Sequence, residues 1–248
     1  MTQPHTLPNP FFAVLNQLLE KVQTTQGDAI RQAGLLIAKC VMGDGIIHVF
    51  GTGHSHILAE EMFVRAGGLV PVSPIFDGGL MLHESALTST TLERLEGYAH
   101  IVLNRYPLYP EDIMIIISNS GRNAVPIEAA MEARAHGLPV IALTSLEQSR
   151  HNSSRHSSGK HLYELADVVL DNCGYPGDAA VQLDGLATRI CPTSTIINAA
   201  LLQAAVCEAV QEMLRCNFPP PVLESCNIDS DQNPWDIYEP YWKRIRHL

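Results

Sequence analysis

Apolar side chains recur at helical spacing through the first forty residues: Phe11, Val14, Leu15, Leu18, Leu19 and Val22, then Ile30, Ala33, Leu36 and Ile37. Steps of three and four residues put them on one face of a helix. The polar run at 24–28 predicts two helices or one interrupted helix, and Gly43-Asp44-Gly45 ends the pattern as a turn. Beyond it the pattern changes to short, nearly continuous apolar runs at 46–50, 69–75, 113–117, 139–143 and 166–170. Helical segments are predicted between and after them, at about 56–66, 88–104, 124–136 and 195–215. Apolar strands alternating with helices predict a parallel sheet covered on both faces. With no linker in view, the reading is one α/β domain over residues 1–216 and an extension over 217–248. The extension holds Pro219-Pro220-Pro221, then Trp235, Tyr238, Tyr241 and Trp242 without helix or strand period. Such aromatics dock on protein, and the chain's own core and a symmetry mate fit equally well. The start, with Pro4, Pro8 and Pro10, reads as irregular.

Composition narrows the partners. The chain has 248 residues, within reach of one large domain at about 150 residues each. Sixteen basic against 26 acidic residues give a formal charge of −10, which argues against nucleic acid or an anionic membrane as partner. No run approaches the roughly 18 apolar residues of a membrane span, and the N-terminus lacks a signal-peptide pattern. Six widely spaced cysteines without C-x-x-C read as free thiols in the cytoplasm.

Two loops carry the candidate chemistry. GTGHSH (51–56) follows the first strand and SNSGRN (118–123) follows the third. In a doubly wound sheet of order 2-1-3-4-5, those strands flank the switch point where ligands bind. Gly51, Gly53 and Gly121 permit close backbone approach or positive φ. Ser55, Ser118, Ser120 and Asn123 offer neutral hydrogen-bonding groups, and each loop opens into a helix N-terminus. The combination predicts a phosphate cradle; the competing explanation is helix capping by Ser55 and Asn123. Other phosphate motifs are lacking: there is no G-x-x-x-x-G-K-[ST] and no G-x-S-x-G. A dinucleotide fingerprint begins at Gly51 but has His56 in place of its last glycine, with Asp77 as the acidic residue for a ribose.

These two loops, with Pro192-Thr193-Ser194-Thr195 opening the last long helix, resemble the SIS (sugar isomerase) domain over about residues 10–215. Ser-x-Ser-Gly-x-Asn is the most specific part of the match. The resemblance implies a three-layer, flavodoxin-like fold on a five-stranded parallel sheet, with a phosphorylated sugar as ligand. It also implies a homodimer or homotetramer. By the same match, Ser55, Ser118, Asn119, Ser120 and Asn123 would hold the phosphate, with Thr193 and Ser194 approaching from the last helix. No cofactor or metal is expected. The phosphoheptose isomerase pattern of a first-helix Glu and a last-helix His around a metal is not met: Arg65 stands ten residues beyond Ser55, and 195–215 contains no His. Zinc held by His54, His56 and a Glu is the less favoured use of those histidines.

Moving a proton between C1 and C2 of a sugar needs a base, and opening its ring needs a second proton carrier. By the resemblance the base is sought after strand two, where His83-Glu84 stands. Glu84 is the expected base, His83 the expected ring-opening partner and Glu61 the reserve. Two other classes stay open. One is a phosphosugar-binding regulatory module; the other is an amino-sugar phosphate lyase acting as an etherase, in which Glu61 would matter more. His151, His156 and His161 lie in a Ser/His-rich loop over 149–161, read as mobile and carrying Arg155 and Lys160 toward the phosphate. Asp229, Asp231 and Asn233 begin like a calcium loop, but Pro234 and Pro240 replace its required Gly and Glu.

Overall fold

The computed structural model describes residues 9–225, 227, 233 and 235–248. Pro4, Pro8, Asp229, Asp231 and Pro234 lie outside the described residues. The first helical stretch is two helices, α1 (Pro10–Thr25) and α2 (Gly27–Met42), separated at Gln26. Asn9 caps α1, its Oδ1 accepting the Phe11 N–H at 2.9 Å. Five strands follow: β1 (Ile47–Gly51), β2 (Val72–Ile75), β3 (Ile113–Ile117), β4 (Val140–Thr144) and β5 (Val168–Asp171). All pair in parallel in the order β2-β1-β3-β4-β5, as the alternation predicts.

Helices cover both faces of this sheet. Ile113, Ile115 and Ile117 of β3 face a layer made by α1, α2, α3 (Ile57–Met62) and α8 (Ser194–Arg215). Met114 and Ile116 face α5 (Tyr98–Leu103) and α6 (Ala124–Ala135). This strict alternation on fully buried strands is the three-layer, flavodoxin-like architecture. The α2–α8 approach depends on Gly34, where a Cβ would stand 2.4 Å from the Glu208 Cβ and 3.0 Å from the Ala205 carbonyl.

Several boundaries differ from the sequence reading. The helix after β1 ends at Met62 rather than residue 66, and the 88–104 helix is two, α4 (Ala86–Leu92) and α5. Their junction turns at Gly97, with φ 84°. The 149–161 segment begins inside a helix, α7 (Leu146–His151). A two-stranded hairpin, β6 (Ala179–Val181) and β7 (Ile190–Pro192), precedes α8.

The extension packs on the chain's own core. The Val70 and Gly67 N–H groups donate to the Pro221 and Leu223 carbonyls, and Leu69 forms a bridge with Val222. Tyr238 is fully buried beside Val70 and Leu223. Farther on, Arg244 Nη2 donates to Asp112 Oδ1 at 2.6 Å, beneath the start of β1 and β3.

Candidate functional site

Gly51 at the end of β1 stands opposite Ile117 at the end of β3, so loops 51–56 and 118–123 leave the sheet side by side. Gly51 is required by space: a Cβ would lie 2.7 Å from the carbonyl carbon and oxygen of Ser55. Gly53 and Gly121 adopt positive φ, 54° and 58°. At Gly121 a Cβ would also meet the hydroxyl oxygens of Ser149 and Thr144 at 3.0 and 3.1 Å. Both loops are therefore wound tightly against their neighbours.

The hydroxyl groups divide into free and engaged. Ser55 and Ser120 make no side-chain hydrogen bond to protein among the described residues. Ser118 Oγ accepts the Gly121 N–H at 3.2 Å, leaving its own hydrogen for a ligand. Neither Ser55 nor Asn123 caps a helix by its side chain. The buried Asn123 instead accepts from Arg155 Nη1 at 2.9 Å. Asn119 is engaged at both ends: its Nδ2 donates to Gln148 at 2.8 Å and its Oδ1 accepts from Asn172 at 2.8 Å. Asn172 Nδ2 also donates to Asn198 of α8, so a buried amide chain ties loop 118–123 to the last helix. Ser194 is likewise engaged, donating through N and Oγ to the Asp178 carboxylate at 2.8 and 2.6 Å. Thr193 is buried, and its Oγ1 has no hydrogen-bond partner.

The 152–161 segment folds back on the second loop. The Arg155 N–H donates to the Arg122 carbonyl at 2.8 Å, and the Leu162 N–H to the Gly121 carbonyl at 2.9 Å. Burial and the neighbouring guanidiniums of Arg122 and Arg94 push Arg155 below the ordinary arginine value, with Glu93 acting oppositely. Three cations and the Glu93 carboxylate therefore gather beside the neutral groups of the cradle.

Glu93 is the residue that the sequence reading missed. At the end of α4, its side chain accepts from Thr52 Oγ1 at 3.0 Å and its carbonyl accepts the Val125 N–H at 3.1 Å. It thus bridges the first loop and the helix after the second. Nothing in its spacing within an apparently continuous 88–104 helix sets it apart from the other charges there.

A second titratable group collects beyond β1 and β2. The His56 and His83 rings lie 5.7 Å apart, with Glu60 3.5 Å from His56 and Glu84 4.0 Å from His83. Glu84 is mostly solvated, its side chain 66% exposed. Glu61 is turned to Arg65 at 3.4 Å rather than toward this group. Asp77 is held by Tyr98 and Arg105, each donating at 2.7 Å, which removes the acidic group a dinucleotide ribose would use.

Residues 10–145 match the family model described as the SIS domain. The chain is 46% identical over 235 residues to a UPF0309 protein of Thermoanaerobacter pseudethanolicus, spanning 93% of this chain and 95% of the relative. A UPF0309 protein of Geobacillus thermodenitrificans is 44% identical over 236 residues, spanning 95% of each. Among solved structures, a phosphoheptose isomerase from Francisella tularensis superposes with TM-score 0.54 at 20% identity, spanning 82% of this chain and 96% of that one. Phosphoheptose isomerase from Neisseria gonorrhoeae gives TM-score 0.52 at 19% identity, with 81% and 93% spanned. These likenesses show a shared fold.

Proposed function

Because the chain belongs to the SIS domain family, we propose that it binds a phosphorylated sugar between loops 51–56 and 118–123 and interconverts its aldose and ketose forms. The observation that carries this reading is the pair of tight loops beside the switch point, with unengaged hydroxyls at Ser55 and Ser120 and a Ser118 hydroxyl whose hydrogen is free to donate. A phosphate there meets these hydroxyls and Arg155, while Asn123 and Asn119 act as supports, one orienting Arg155 and the other fixing the loop. Thr193 and Ser194 form the wall contributed by α8. The two phosphoheptose isomerases that share this fold agree with a phosphosugar ligand.

Isomerisation through an enediol requires removal of a proton from C2 and its return at C1. Glu93 is the better supported base, since it is half-buried and fastened to the first loop by Thr52. Glu84, with His83 and His56, is suited to proton exchange with the ring oxygen during opening. The test is C2 hydrogen–deuterium exchange, followed by NMR over a panel of aldose and ketose phosphates. Glu93→Gln is expected to slow exchange roughly a hundred- to ten-thousand-fold, and Glu84→Gln to slow it less on a substrate supplied in open-chain form. Full exchange in Glu93→Gln removes that residue from the role. Tight binding with no exchange of any sugar by the unaltered protein would instead identify a phosphosugar sensor.

The same reading has the protein working in the cytoplasm as a homodimer or homotetramer. Exposed Leu183, Leu186, Ile190 and Ile196, around the β6–β7 hairpin and the start of α8, offer a face to a second copy. Light scattering after gel filtration measures the assembly directly. Among the described residues no helix is long and apolar enough to cross a membrane.

A further inference from the structure

Away from the cradle's hydroxyls, three chain segments bring a histidine and two carboxylates together. Glu96 comes from the α4–α5 junction, Glu128 from α6, and His156 from the segment folded over loop 118–123. One side-chain ligand atom from each lies within 4.8 Å of the others. His156 Nε2 stands 3.6 Å from Glu128 Oε1 and 3.9 Å from Glu96 Oε2, in ion-pair range but beyond a hydrogen bond. Its side chain is only 10% exposed, so this nitrogen is directed into the cluster without a hydrogen-bond partner. Glu128 Oε2 is also buried without one.

The charge here is unbalanced. Among the described residues no Lys or Arg pairs with Glu96 or Glu128. The Ser157 N–H and hydroxyl donate to Glu96 Oε1 and Oε2 at 2.6 and 2.7 Å, which fixes that carboxylate. A proton on His156 would supply one positive charge against two negative ones; a divalent cation supplies two. The surroundings suit a ligand set as well. Ser158 holds the ring at Nδ1, its N–H donating there at 3.1 Å and its Oγ lying 2.7 Å away, which keeps Nε2 facing the two carboxylates. Gly97 N–H donates to Glu128 Oε1 at 2.6 Å, fixing that carboxylate.

We propose that Glu96, Glu128 and His156 bind a zinc ion that fastens the 152–161 segment to α6 and the α4–α5 junction. Nitrogen and oxygen ligands about 2.1 Å from tetrahedral zinc stand about 3.4 Å apart, so the His156 separations of 3.6 and 3.9 Å close by a few tenths of an ångström while the two carboxylates draw together from within 4.8 Å. The fourth position is left to water. This site lies outside the sequence expectation of no metal, because its three ligands come from elements whose packing no local spacing reveals. It does not depend on the phosphosugar reading, although it would also hold Arg155 in place.

The experiment is equilibrium dialysis of untagged, metal-stripped protein against Zn²⁺, with the bound metal counted by mass spectrometry. One ion per chain is expected, with affinity reduced at least tenfold in His156→Gln and in Glu128→Gln. His151→Gln should bind like the unaltered protein. His83→Gln also reports on the separate histidine pair. Hydrogen exchange over 152–161 should slow on adding Zn²⁺ to the unaltered protein and stay unchanged in Glu128→Gln. Circular dichroism of each variant separates a lost ligand from a lost fold. No zinc bound by the unaltered protein, undiminished binding by folded His156→Gln and Glu128→Gln, or binding abolished only by His83→Gln would each overturn the assignment.

Discussion

Asp112 carries more of the fold than any other single carboxylate described above, and its removal should be correspondingly severe. Its side chain is fully buried. Oδ1 accepts the Ile46 N–H at 2.8 Å and Arg244 Nη2 at 2.6 Å; Oδ2 accepts the Tyr109 N–H at 2.9 Å and faces His48 Nε2 at 3.2 Å. In Asp112→Ala, two backbone donors and His48 lose their acceptor while Arg244 loses its nearer carboxylate and keeps only Glu111 at 3.7 Å. Breaking a buried ion pair from one side costs about 3–5 kcal/mol. At about 2–4 °C per kcal/mol for a chain of this size, Tm should fall by roughly 6–20 °C. Arg244→Ala should cost less, about 2 kcal/mol, because Asp112 keeps three partners and Arg244 is 22% exposed. The double variant should fall short of the sum by about 0.5–3 kcal/mol, since both changes break one contact. Burial raises the Asp112 pKa, but the His48, Ile46 and Tyr109 hydrogen bonds outweigh it and hold the carboxyl below its ordinary range. A depressed folded-state pKa stabilises the fold above the unfolded value of about 3.9 and loses that contribution as pH falls through the folded value. Urea melts at pH 7 and across the acid limb measure all of this. An Asp112→Ala penalty below about 1 kcal/mol, or strict additivity with Arg244→Ala, would refute the account of this contact.

Other consequences are equally direct. Gly51→Ala should weaken phosphosugar binding by calorimetry and cost about 1–3 kcal/mol in melting, because the new methyl meets the Ser55 backbone rather than a movable side chain. Arg155→Ala should reduce inorganic phosphate affinity several-fold with little change in Tm, as its side chain reaches from a surface segment. Cys40, its thiol pushed up to about 12 by burial and then by the Asp112 charge, should resist iodoacetamide at pH 8 in the native protein and react on unfolding. Exposed Cys207 and Cys216 should label under the same conditions, and mass mapping distinguishes the sites. Gly34→Leu should destabilise strongly in a urea melt, since its Cβ alone would collide with Glu208 and the α8 backbone.

The sheet was legible in the sequence because its strands are buried on both sides, so each appears as an uninterrupted apolar run bounded by turn residues. The cradle was legible for a related reason: Gly51 and Gly121 sit where contact or positive φ excludes a side chain, and those demands write themselves into a few adjacent letters. What escaped was set by contacts distant in sequence. The 88–104 pattern has helical apolar spacing throughout, yet the chain breaks at Gly97, where Glu128 takes the N–H from α6. Glu93 gained its place by that same break. The β6–β7 strands are three residues each with only Val181 buried, leaving no burial pattern to detect. The aromatic extension was visible as a segment seeking a surface, but only packing decides that Tyr238 finds the chain's own Val70.

The way the extension meets residues 67–70, just before β2, also limits how strands can be added there. Gly67 and Val70 offer N–H groups that would otherwise invite a strand from another molecule, and the carbonyls of Leu223 and Pro221 take them. The segment providing those carbonyls begins Pro219-Pro220-Pro221, three consecutive residues with no N–H to present outward. A newcomer at that margin finds acceptors without alternating donors and cannot continue a ladder. The segment therefore works as a terminator: it takes up the hydrogen bonds of residues 67–70 ahead of β2 and carries prolines where a further strand would need donors.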